Sequence, residues 1–448
     1  MYQHKFHIMP PQGWLNDPNG SCYYKGSYHI FFQYSKDDVN GGLKTWGHYT
    51  SKDLVTFKFE GEAVFPDSKW DKDGAYSGTA YTDDGKLELY YTGNVKHKGN
   101  YDYINEGRGH NCLRVVSDEG FDFKDKECLL ENKDYPSNMS CHVRDPKIFK
   151  KNNKYYMLLG ARTKDSKAAF LLYESDNKDS WNLTRSYIPK DDYGYMWECP
   201  DYFELNGHNI FSFCPQGLES MPDRFANIYQ SGYIDLNKMD IINTADEELN
   251  QIIIKENLVE WDLGFDFYAP QTFKSNDNST YLIGWAGVPD AGYGNTPSIK
   301  EGWQHSMTLI RKLEYKNGKI YQMPVKDIYK LRKDKLLVVD NNIQADLYWN
   351  LTADMFNGGC LYFNDDLELR HEDDKLILEF KNNTGEGRTK RIVPLSELKK
   401  IDIFMDGCIM EIYVNNGEYC LTTRYYPVSD LVSIKVEKGV NVNAWSMD

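Results

Sequence analysis

The chain repeats one short pattern five times, and this repetition constrains its fold more than any other feature. In each repeat a polar motif is followed seven to nine residues later by a turn, and then by an aromatic and β-branched run typical of a strand. A period of roughly 55 to 70 residues indicates a repeat architecture. The motifs are Asn16-Asp17-Pro18, Ser77-Gly78, Arg144-Asp145-Pro146, Glu198-Cys199-Pro200 and Ala269-Pro270-Gln271.

Five such units predict a five-bladed β-propeller. The turns that separate motif from strand are Lys25-Gly26, Asp84-Gly85, Asn152-Asn153, Asn206-Gly207 and Asn276-Asp277-Asn278. In a propeller the equivalent strand of every blade lines one central channel, so polar residues at the same place in each repeat converge on the axis. Three of the five motifs carry a carboxylate there, which indicates where function lies.

A second, smaller domain is expected because 448 residues exceed what a single core usually holds. Strand patterns dominate to about residue 315, and a charged stretch then carries one short predicted helix over 325–331. Further short strands at spacings typical of a β-sandwich follow. We therefore predict an all-β chain with a propeller over 1–315, a linker over 316–335 and a β-sandwich over 336–448.

Bulk properties exclude several classes of protein. The net charge of -15 and the pI of about 5.2 argue against nucleic acid and against an anionic membrane surface. The start of the chain leaves no room for a signal sequence and no window is long and apolar enough to span a membrane, so a cytoplasmic protein is expected. Nine scattered Cys without a Cys-x-x-Cys pair favour reduced thiols, and no cluster has metal-ligand spacing, so neither a metal nor another cofactor is expected.

The carboxylates suggest the chemistry. Two carboxylates flanking a bond, one ionised and one protonated, are the minimal requirement for glycoside hydrolysis. Asp17 and Glu198 are the two candidates, and aromatic residues within 193–197 are expected to desolvate Glu198 and keep it protonated, as a general acid requires. Asp145 follows Arg144, whose cation is expected to favour an ionised carboxylate that accepts hydrogen bonds from sugar hydroxyls.

Ordinary turn chemistry is the alternative for each motif taken alone. The segment 16–20, Asn-Asp-Pro-Asn-Gly, could be a tight turn in which Asn and Asp side chains bond their own backbone. The shared register of the motifs within the repeats favours the functional interpretation.

Three segments together resemble the signature blocks of glycoside hydrolase family 32, the invertase and β-fructosidase family. They are Trp14-Leu15-Asn16-Asp17-Pro18-Asn19-Gly20, Arg144-Asp145-Pro146 and Glu198-Cys199-Pro200. The likeness runs essentially the full length of the chain. Supporting segments are Trp46-Gly47-His48, Tyr76-Ser77-Gly78, Asp266-Phe267-Tyr268-Ala269-Pro270-Gln271, Gly284-Trp285 and Glu411-Ile412-Tyr413-Val414-Asn415.

The resemblance implies a propeller with an appended sandwich and a retaining mechanism without metal. It implies that Asp17 is the nucleophile, Glu198 the acid/base and Asp145 the stabiliser of the transition state. Tyr76 stands where many relatives have Phe, and Tyr268 is a candidate for the pocket rim. The positions that match the family's fructose pocket are Asn16, Gln33, Trp46, Ser77, Arg144 and Trp285.

The resemblance predicts an enzyme that releases terminal β-D-fructofuranosyl residues from sucrose, sucrose 6-phosphate or short fructo-oligosaccharides. A fructosyltransferase, or an exohydrolase of inulin or levan, is the alternative on the same fold. A non-enzymatic sugar-binding propeller would have lost a carboxylate, and an inverting arabinan-type hydrolase is disfavoured by the motif sequences. The partner is then a small sugar, and a homo-oligomer stays open. Cations expected to contact a phosphorylated leaving group are Lys96, Lys98, Arg108 and His110.

Overall fold

A computed structural model describes residues 1–225, 227–354, 358–437 and 440–448. In these residues the chain is built almost entirely from antiparallel strands. They form five small sheets in succession, followed by two sheets of six strands each. The predicted all-β architecture, a five-bladed propeller followed by a sandwich, is confirmed.

Each of the five small sheets contains a four-stranded antiparallel meander that runs from the inner strand to the outer strand, and the first sheet has one further strand. Blade one consists of β1 (Gly13–Tyr24), β2 (Ser27–Ser35), β3 (Thr45–Ser51) and β4 (Phe57–Val64). Blade two consists of β5 (Ala75–Asp83), β6 (Lys86–Lys96), β7 (Arg108–Ser117) and β8 (Lys124–Leu130). Blade three consists of β9 (Met139–Lys151), β10 (Lys154–Thr163), β11 (Ala168–Ser175) and β12 (Asn182–Tyr187).

The last two blades contain the helices of the propeller. Blade four consists of β13 (Met196–Leu205), β14 (His208–Gln216), β15 (Gly232–Asp235), helix α1 (Asp246–Ile252) and β16 (Val259–Glu260). Blade five begins with β17 (Tyr268–Lys274) and β18 (Thr280–Trp285), after which come α2 (Thr296–Lys300) and β19 (Trp303–Gln304). It ends with β20 (Arg311–Lys316) and β21 (Lys319–Pro324).

The inner strands close into a ring. Each of β1, β5, β9, β13 and β17 packs against the next, and β17 packs against β1. The closure is reinforced by β19, which joins the edge of blade one as a parallel neighbour of β1, with Gly13 opposite Trp303. The Gly13 amide also donates to the Gly302 carbonyl over 2.9 Å.

Four of the five predicted turns are two-residue hairpins in which both residues have positive φ. That geometry matches the twist of paired strands and suits Gly, Asn and Asp. The residues are Lys25-Gly26, Asp84-Gly85, Asn152-Asn153 and Asn206-Gly207.

The segment between the propeller and the last two sheets differs in detail from the prediction. Strand β21 lies inside the stretch predicted as a linker, because it pairs with β20 and completes blade five. The short helix predicted near its end is present as a 3-10 helix over Lys326–Leu331. The domain limits themselves stay predictions.

Helices α1 and α2 were not predicted, because each is too short to show a helical period. The other 3-10 helices lie at Asn132–Asp134, Lys255–Asn257 and Asn383–Gly385. In the described part of the chain, no helix has both the length and the apolar character needed to cross a membrane.

The two six-stranded sheets enclose the second core, a continuous apolar layer that includes Trp349, Leu369 and Ile412. One sheet has the order β22 (Arg332–Leu336), β33 (Asn441–Met447), β24 (Tyr348–Asp354), β29 (Ile401–Asp406), β30 (Ile409–Val414) and β31 (Tyr419–Arg424). The other has the order β23 (Asn342–Ala345), β32 (Val432–Val436), β25 (Cys360–Phe363), β26 (Leu367–Glu372), β27 (Lys375–Phe380) and β28 (Lys390–Pro394).

A buried group of charges, here called the interface cluster, joins the N-terminal segment, the propeller and the sandwich. Arg311 of β20 donates to Glu411 over 2.7 Å and to Asp262 over 3.0 Å. The His7 ring contacts Asp406 at 2.8 Å through Nδ1 and Glu411 at 3.1 Å through Nε2. Each of these buried charges has an opposite charge as its partner, as burial requires.

Candidate active site

Every sequence motif coincides with a β-bulge in the inner strand of its blade. A bulge inserts an unpaired residue, re-aims nearby side chains and tolerates Pro, which has no amide hydrogen to give to a sheet. Asp145, Cys199 and Ala269 each precede a Pro in a bulge and each has positive φ. The bulges lie between Leu15 and Pro18, Ala75 and Gly78, Arg144 and Lys147, Glu198 and Asp201, and Tyr268 and Gln271.

Asp17 is held by hydrogen bonds to both of its carboxylate oxygens. Ser77 donates to Oδ2 over 2.5 Å, and the Asn16 amide donates to Oδ1 over 3.1 Å. Gln33 accepts from Asn16 over 3.0 Å and donates to Ser77 over 2.5 Å, so it fixes the direction of both bonds. Burial raises the pKa of Asp17, while the bonds from Ser77 and Asn16 oppose that rise. Three residues predicted for the pocket, Asn16, Gln33 and Ser77, thus meet around one carboxylate.

Glu198 is clamped between a cation and a phenol. Arg144 donates to Oε1 through Nη2 over 2.6 Å and through Nε over 3.2 Å. The Tyr268 hydroxyl donates to Oε2 over 2.8 Å. Trp197, which was expected to desolvate this carboxylate, lies in the blade core instead, because neighbouring residues of a strand point to opposite faces.

A close approach of two backbones brings Arg144 and Glu198 together. Gly160 of β10 pairs with Arg144 across the sheet. A Cβ atom at Gly160 would lie 2.0 Å from the Trp197 carbonyl oxygen, so only glycine lets β13 pack this close. Glu198 is the next residue along β13.

Asp145 lies close enough to both of the other carboxylates for their charges to act on it. Its Oδ2 accepts from the Cys199 amide over 2.9 Å, and the Cys199 sulfur is 4.0 Å from Oδ2 of Asp17. Arg144 was expected to favour the ionised form of Asp145, but its Nε is 3.9 Å away and bonds to Glu198 instead. Burial therefore outweighs the cation and raises the pKa of Asp145, with the nearby Glu198 adding to the rise.

The predicted pocket aromatics have different positions. Trp285 faces Tyr268 edge to face, with ring centroids 6.4 Å apart, beside the Glu198 clamp. Tyr76 is half-buried, and its ring centroid is 5.9 Å from that of His110. Trp46 is fully buried and donates its indole hydrogen to the Tyr76 carbonyl over 3.1 Å, which supports the strand that carries Ser77. Direct contact of these rings with a sugar stays a prediction.

Two further residues support Asn16 and Asp17 and were not predicted as site residues. The Trp14 indole donates to the side-chain amide oxygen Oδ1 of Asn16 over 2.8 Å, and the place of Trp14 in the first motif was the signal that could have identified it. Lys44 lies 5.1 Å over the Trp14 ring. Burial lowers the pKa of Lys44 to about 8, while the negative charges of Asp17 and Asp38 oppose that change. No local pattern marks Lys44, because it comes from the segment before β3.

The cations expected near the leaving group divide into two sets. Lys96 and Lys98 have exposed side chains. His110 is fully buried, and its pKa is held well below the ordinary range by burial and by Arg144. Arg108 is half-buried, and its guanidinium lies 3.4 Å from the His110 ring.

Comparison with known protein families gives two matches. The model described as "Glycosyl hydrolases family 32 N-terminal domain" matches residues 7–324. The model described as "Glycosyl hydrolases family 32 C terminal" matches residues 372–446. Together they cover the propeller and most of the sandwich.

Individual relatives agree with these matches. The sucrose-6-phosphate hydrolase of Bacillus subtilis (strain 168) is 34% identical over an alignment 477 residues long. The alignment covers 100% of this chain and 94% of the relative. The solved sucrose-6-phosphate hydrolase from Lactobacillus gasseri has a TM-score of 0.87 at 33% identity and covers 100% of this chain and 93% of its own. A mutant Bombyx mori β-fructofuranosidase in complex with sucrose has a TM-score of 0.85 at 27% identity, with coverage of 100% and 94%.

Proposed function

The chain belongs to glycoside hydrolase family 32, and we propose that it is a retaining β-fructofuranosidase whose preferred substrate is sucrose 6-phosphate. It hydrolyses the bond between the anomeric carbon of fructose and the oxygen of the leaving glucose unit. Asp17 is the nucleophile, Glu198 the acid/base, and Asp145 binds hydroxyl groups of the fructosyl unit.

The convergence of three carboxylates from three different blades is the observation that supports this proposal. Asp17 and Asp145 both approach Cys199, the neighbour of Glu198, at 4.0 and 2.9 Å. A retaining mechanism needs one carboxylate to attack carbon and a second to transfer a proton nearby. Blade packing alone gives no reason to bury carboxylates beside one another.

In the first step Glu198 protonates the glycosidic oxygen while Asp17 attacks the anomeric carbon. Ser77 and Asn16 orient Asp17 and share its charge, so the nucleophile does not have to reorient during attack. A covalent fructosyl ester forms. The positive charge that develops on the fructosyl ring is stabilised by the carboxylate of Asp145.

In the second step Glu198 takes a proton from water, and the water displaces Asp17 from the sugar with net retention. The observed clamp suits this base form, because both Glu198 oxygens accept hydrogen bonds, from Arg144 and from Tyr268.

The preference for a phosphorylated leaving group is supported by two guanidinium groups near His142, those of Arg108 and Arg162. Arg108 contacts neutral His110, and Arg162 donates to Ser166 over 2.9 Å. Within the described ranges neither group pairs with a carboxylate, although the chain carries a net charge of -15. A guanidinium group that has no acidic partner can donate two parallel hydrogen bonds to a phosphate and balance its negative charge.

Comparison of kcat/KM for sucrose 6-phosphate and sucrose tests this assignment. We expect the phosphorylated sugar to be preferred at least about tenfold, a difference of about 1.4 kcal/mol. Arg108→Gln or Arg162→Gln should lower that ratio and leave kcat/KM for sucrose nearly unchanged. The exposed Lys98 provides the control, and Lys98→Gln should leave the ratio intact.

The result that would reject the phosphate assignment is an unchanged ratio in both arginine variants. Plain sucrose would then be the substrate. Initial release of α-fructofuranose, followed by NMR before mutarotation, would instead reject the retaining mechanism.

A further inference from the structure

We propose that His142 is a positioning residue, which orients Arg144 on Glu198 and ties that pair to the loop 97–107 between β6 and β7. The inference rests on the proposed roles of Arg144 and Glu198. It assigns a task to an imidazole that contacts no carboxylate among the described residues and takes no part in the proposed chemical steps.

The contacts of His142 fix its tautomer. Nε2 lies 3.1 Å from the carbonyl oxygen of Tyr103, and Nδ1 lies 2.6 Å from Nη1 of Arg144. A carbonyl only accepts hydrogen bonds and a guanidinium only donates them. His142 therefore donates from Nε2 and accepts at Nδ1, which is the pattern of one neutral tautomer.

This acceptor orients the guanidinium plane. Arg144 uses Nη1 for His142, and it uses Nη2 and Nε for Oε1 of Glu198, at 2.6 and 3.2 Å. The guanidinium is rigid and planar, so fixing one edge fixes the direction of the other donors. Without the acceptor at His142, Nη1 would lose its described partner and the plane could rotate away from Glu198.

The surroundings keep His142 neutral. Burial lowers the pKa of His142 to about 3, and the nearby cations of Arg144, Arg108 and Arg162 act in the same direction. Nδ1 therefore stays an acceptor wherever the enzyme works. The titratable and charged groups that face Glu198 itself are Arg144, Tyr268, Asp17, Asp145 and Cys214.

The loop 97–107, which supplies the Tyr103 carbonyl to His142, is itself held by hydrogen bonds. Asp102 accepts from the backbone amides of Ile104, Asn105 and Glu106, at 2.9, 2.8 and 3.1 Å. The Cys141 amide, next to His142, donates to the Ile104 carbonyl over 2.7 Å. The Tyr103 carbonyl is thus held from both sides, and it gives His142 a fixed point.

Two variants of equal shape separate hydrogen bonding from packing. Asn and Leu have the same branched skeleton, but only Asn offers an oxygen near the position of Nδ1. We expect His142→Asn to keep kcat within about threefold of the parent enzyme. His142→Leu should lose on the order of 10²-fold in kcat, the size of effect that a misplacement of about 1 Å has on catalysis.

The pH profile of kcat/KM gives a readout that packing would not change. A loosened Arg144 stabilises the Glu198 carboxylate less, so the alkaline limb should move to higher pH in His142→Leu and stay in place in His142→Asn. The position of this limb does not depend on how much of the enzyme is folded. Thermal unfolding of both variants measures any loss of fold separately.

Equal kcat in the two variants, or alkaline limbs that coincide with that of the parent, would overturn the proposal. Glu198→Gln, assayed beside them, tests the proposed function independently. If Glu198→Gln is inactive and the two His142 variants do not differ, only the role of His142 is wrong. If Glu198→Gln retains parental activity, the acid/base assignment itself is wrong.

Discussion

Two buried groups of charges in this molecule have similar composition and opposite behaviour. The proposed active site has three carboxylates and one bonded guanidinium, and its members are Asp17, Asp145, Glu198 and Arg144. The interface cluster has three carboxylates and two cations, and its members are Asp262, Asp406, Glu411, Arg311 and His7.

The pKa values move in opposite directions in the two groups. In the active site burial raises the pKa of Asp17 and of Asp145, because their few donors do not balance the lost hydration. In the interface cluster burial also acts to raise the pKa, but the partners outweigh it. His7 holds the pKa of Asp406 below its ordinary value. Arg311 and His7 together lower the pKa of Glu411 to about 2. The supply of cations and donors, rather than burial itself, decides whether a buried carboxylate is stable or reactive.

The largest expected effect comes from making the same substitution in each group. Asp17→Asn should reduce kcat about 10⁴-fold or more, because it removes the proposed nucleophile. Its free energy of unfolding should change by no more than about 1 kcal/mol, since an amide avoids burying a charge and can keep a bond to Asn16. Sucrose hydrolysis and chemical denaturation measure the two quantities.

Asp406→Asn is the matched variant and should show the reverse. Asp406 accepts from the backbone amides of Lys5, Phe6 and His7 at 2.7, 3.0 and 2.8 Å. The NH₂ group of Asn would face these backbone N–H donors without an acceptor between them. The free energy of unfolding should therefore fall by about 3 kcal/mol, while kcat per folded molecule stays unchanged. Large losses of kcat in both variants, or in neither, would remove the distinction between the groups.

The second effect is the pH dependence of stability set by His7. Burial opposes protonation, but Asp406 and Glu411 outweigh it and raise the pKa of His7 above its ordinary value of 6.5. A raised His pKa contributes stability that is complete below 6.5 and is lost as pH rises through the folded value. In that window the free energy of unfolding should fall by about 1.4 kcal/mol per pH unit.

His7→Gln should abolish this slope and lower stability at pH values below the window. The other titratable and charged groups around His7 are His4, Asp406, Glu411 and Arg311. His97→Gln, which changes an exposed residue, serves as the control and should keep the slope. A slope that persists in His7→Gln would mean that a different group titrates in the window.

The smallest effect compares two phenols that each donate to a buried carboxylate. Tyr268 donates to Glu198 over 2.8 Å, and Tyr413 donates to Glu411 over 2.6 Å. Tyr268→Phe should lower kcat/KM about tenfold with little change in stability, whereas Tyr413→Phe should lower stability by about 1.5 kcal/mol with little change in kcat/KM. Similar losses of activity in the two variants would show that the interface cluster also controls catalysis.

Features that depend on neighbours in sequence were predictable here. The two-residue turns require positive φ, and residues that tolerate positive φ, such as Gly26 and Asn153, indicate these turns in the sequence. Asp17, Ser77 and Glu198 could be predicted to lie near one another because their motifs occupy the same place in blades one, two and four, and a propeller brings such places together.

Features that depend on which face of a strand a residue takes were not predictable. Trp197 adjoins Glu198 in sequence but packs in the blade core, and Glu198 meets Tyr268 of another blade instead. Lys44 and His142 also reach their partners only through the fold. The bulges reverse the simple alternation of a strand, so the sequence pattern alone did not show where these side chains point.

The parallel pairing of β1 with β19 has a consequence for synthesis on the ribosome. The strand that carries Asp17 emerges first, but its parallel neighbour β19 is not complete until Trp303 and Gln304 have been made. Contacts between such distant parts of a chain form late and slow folding. A nascent chain that ends before β19 therefore leaves the start of β1, just before Asp17, on an open sheet edge, and we expect enzymatic activity only once a nearly complete polypeptide has been made.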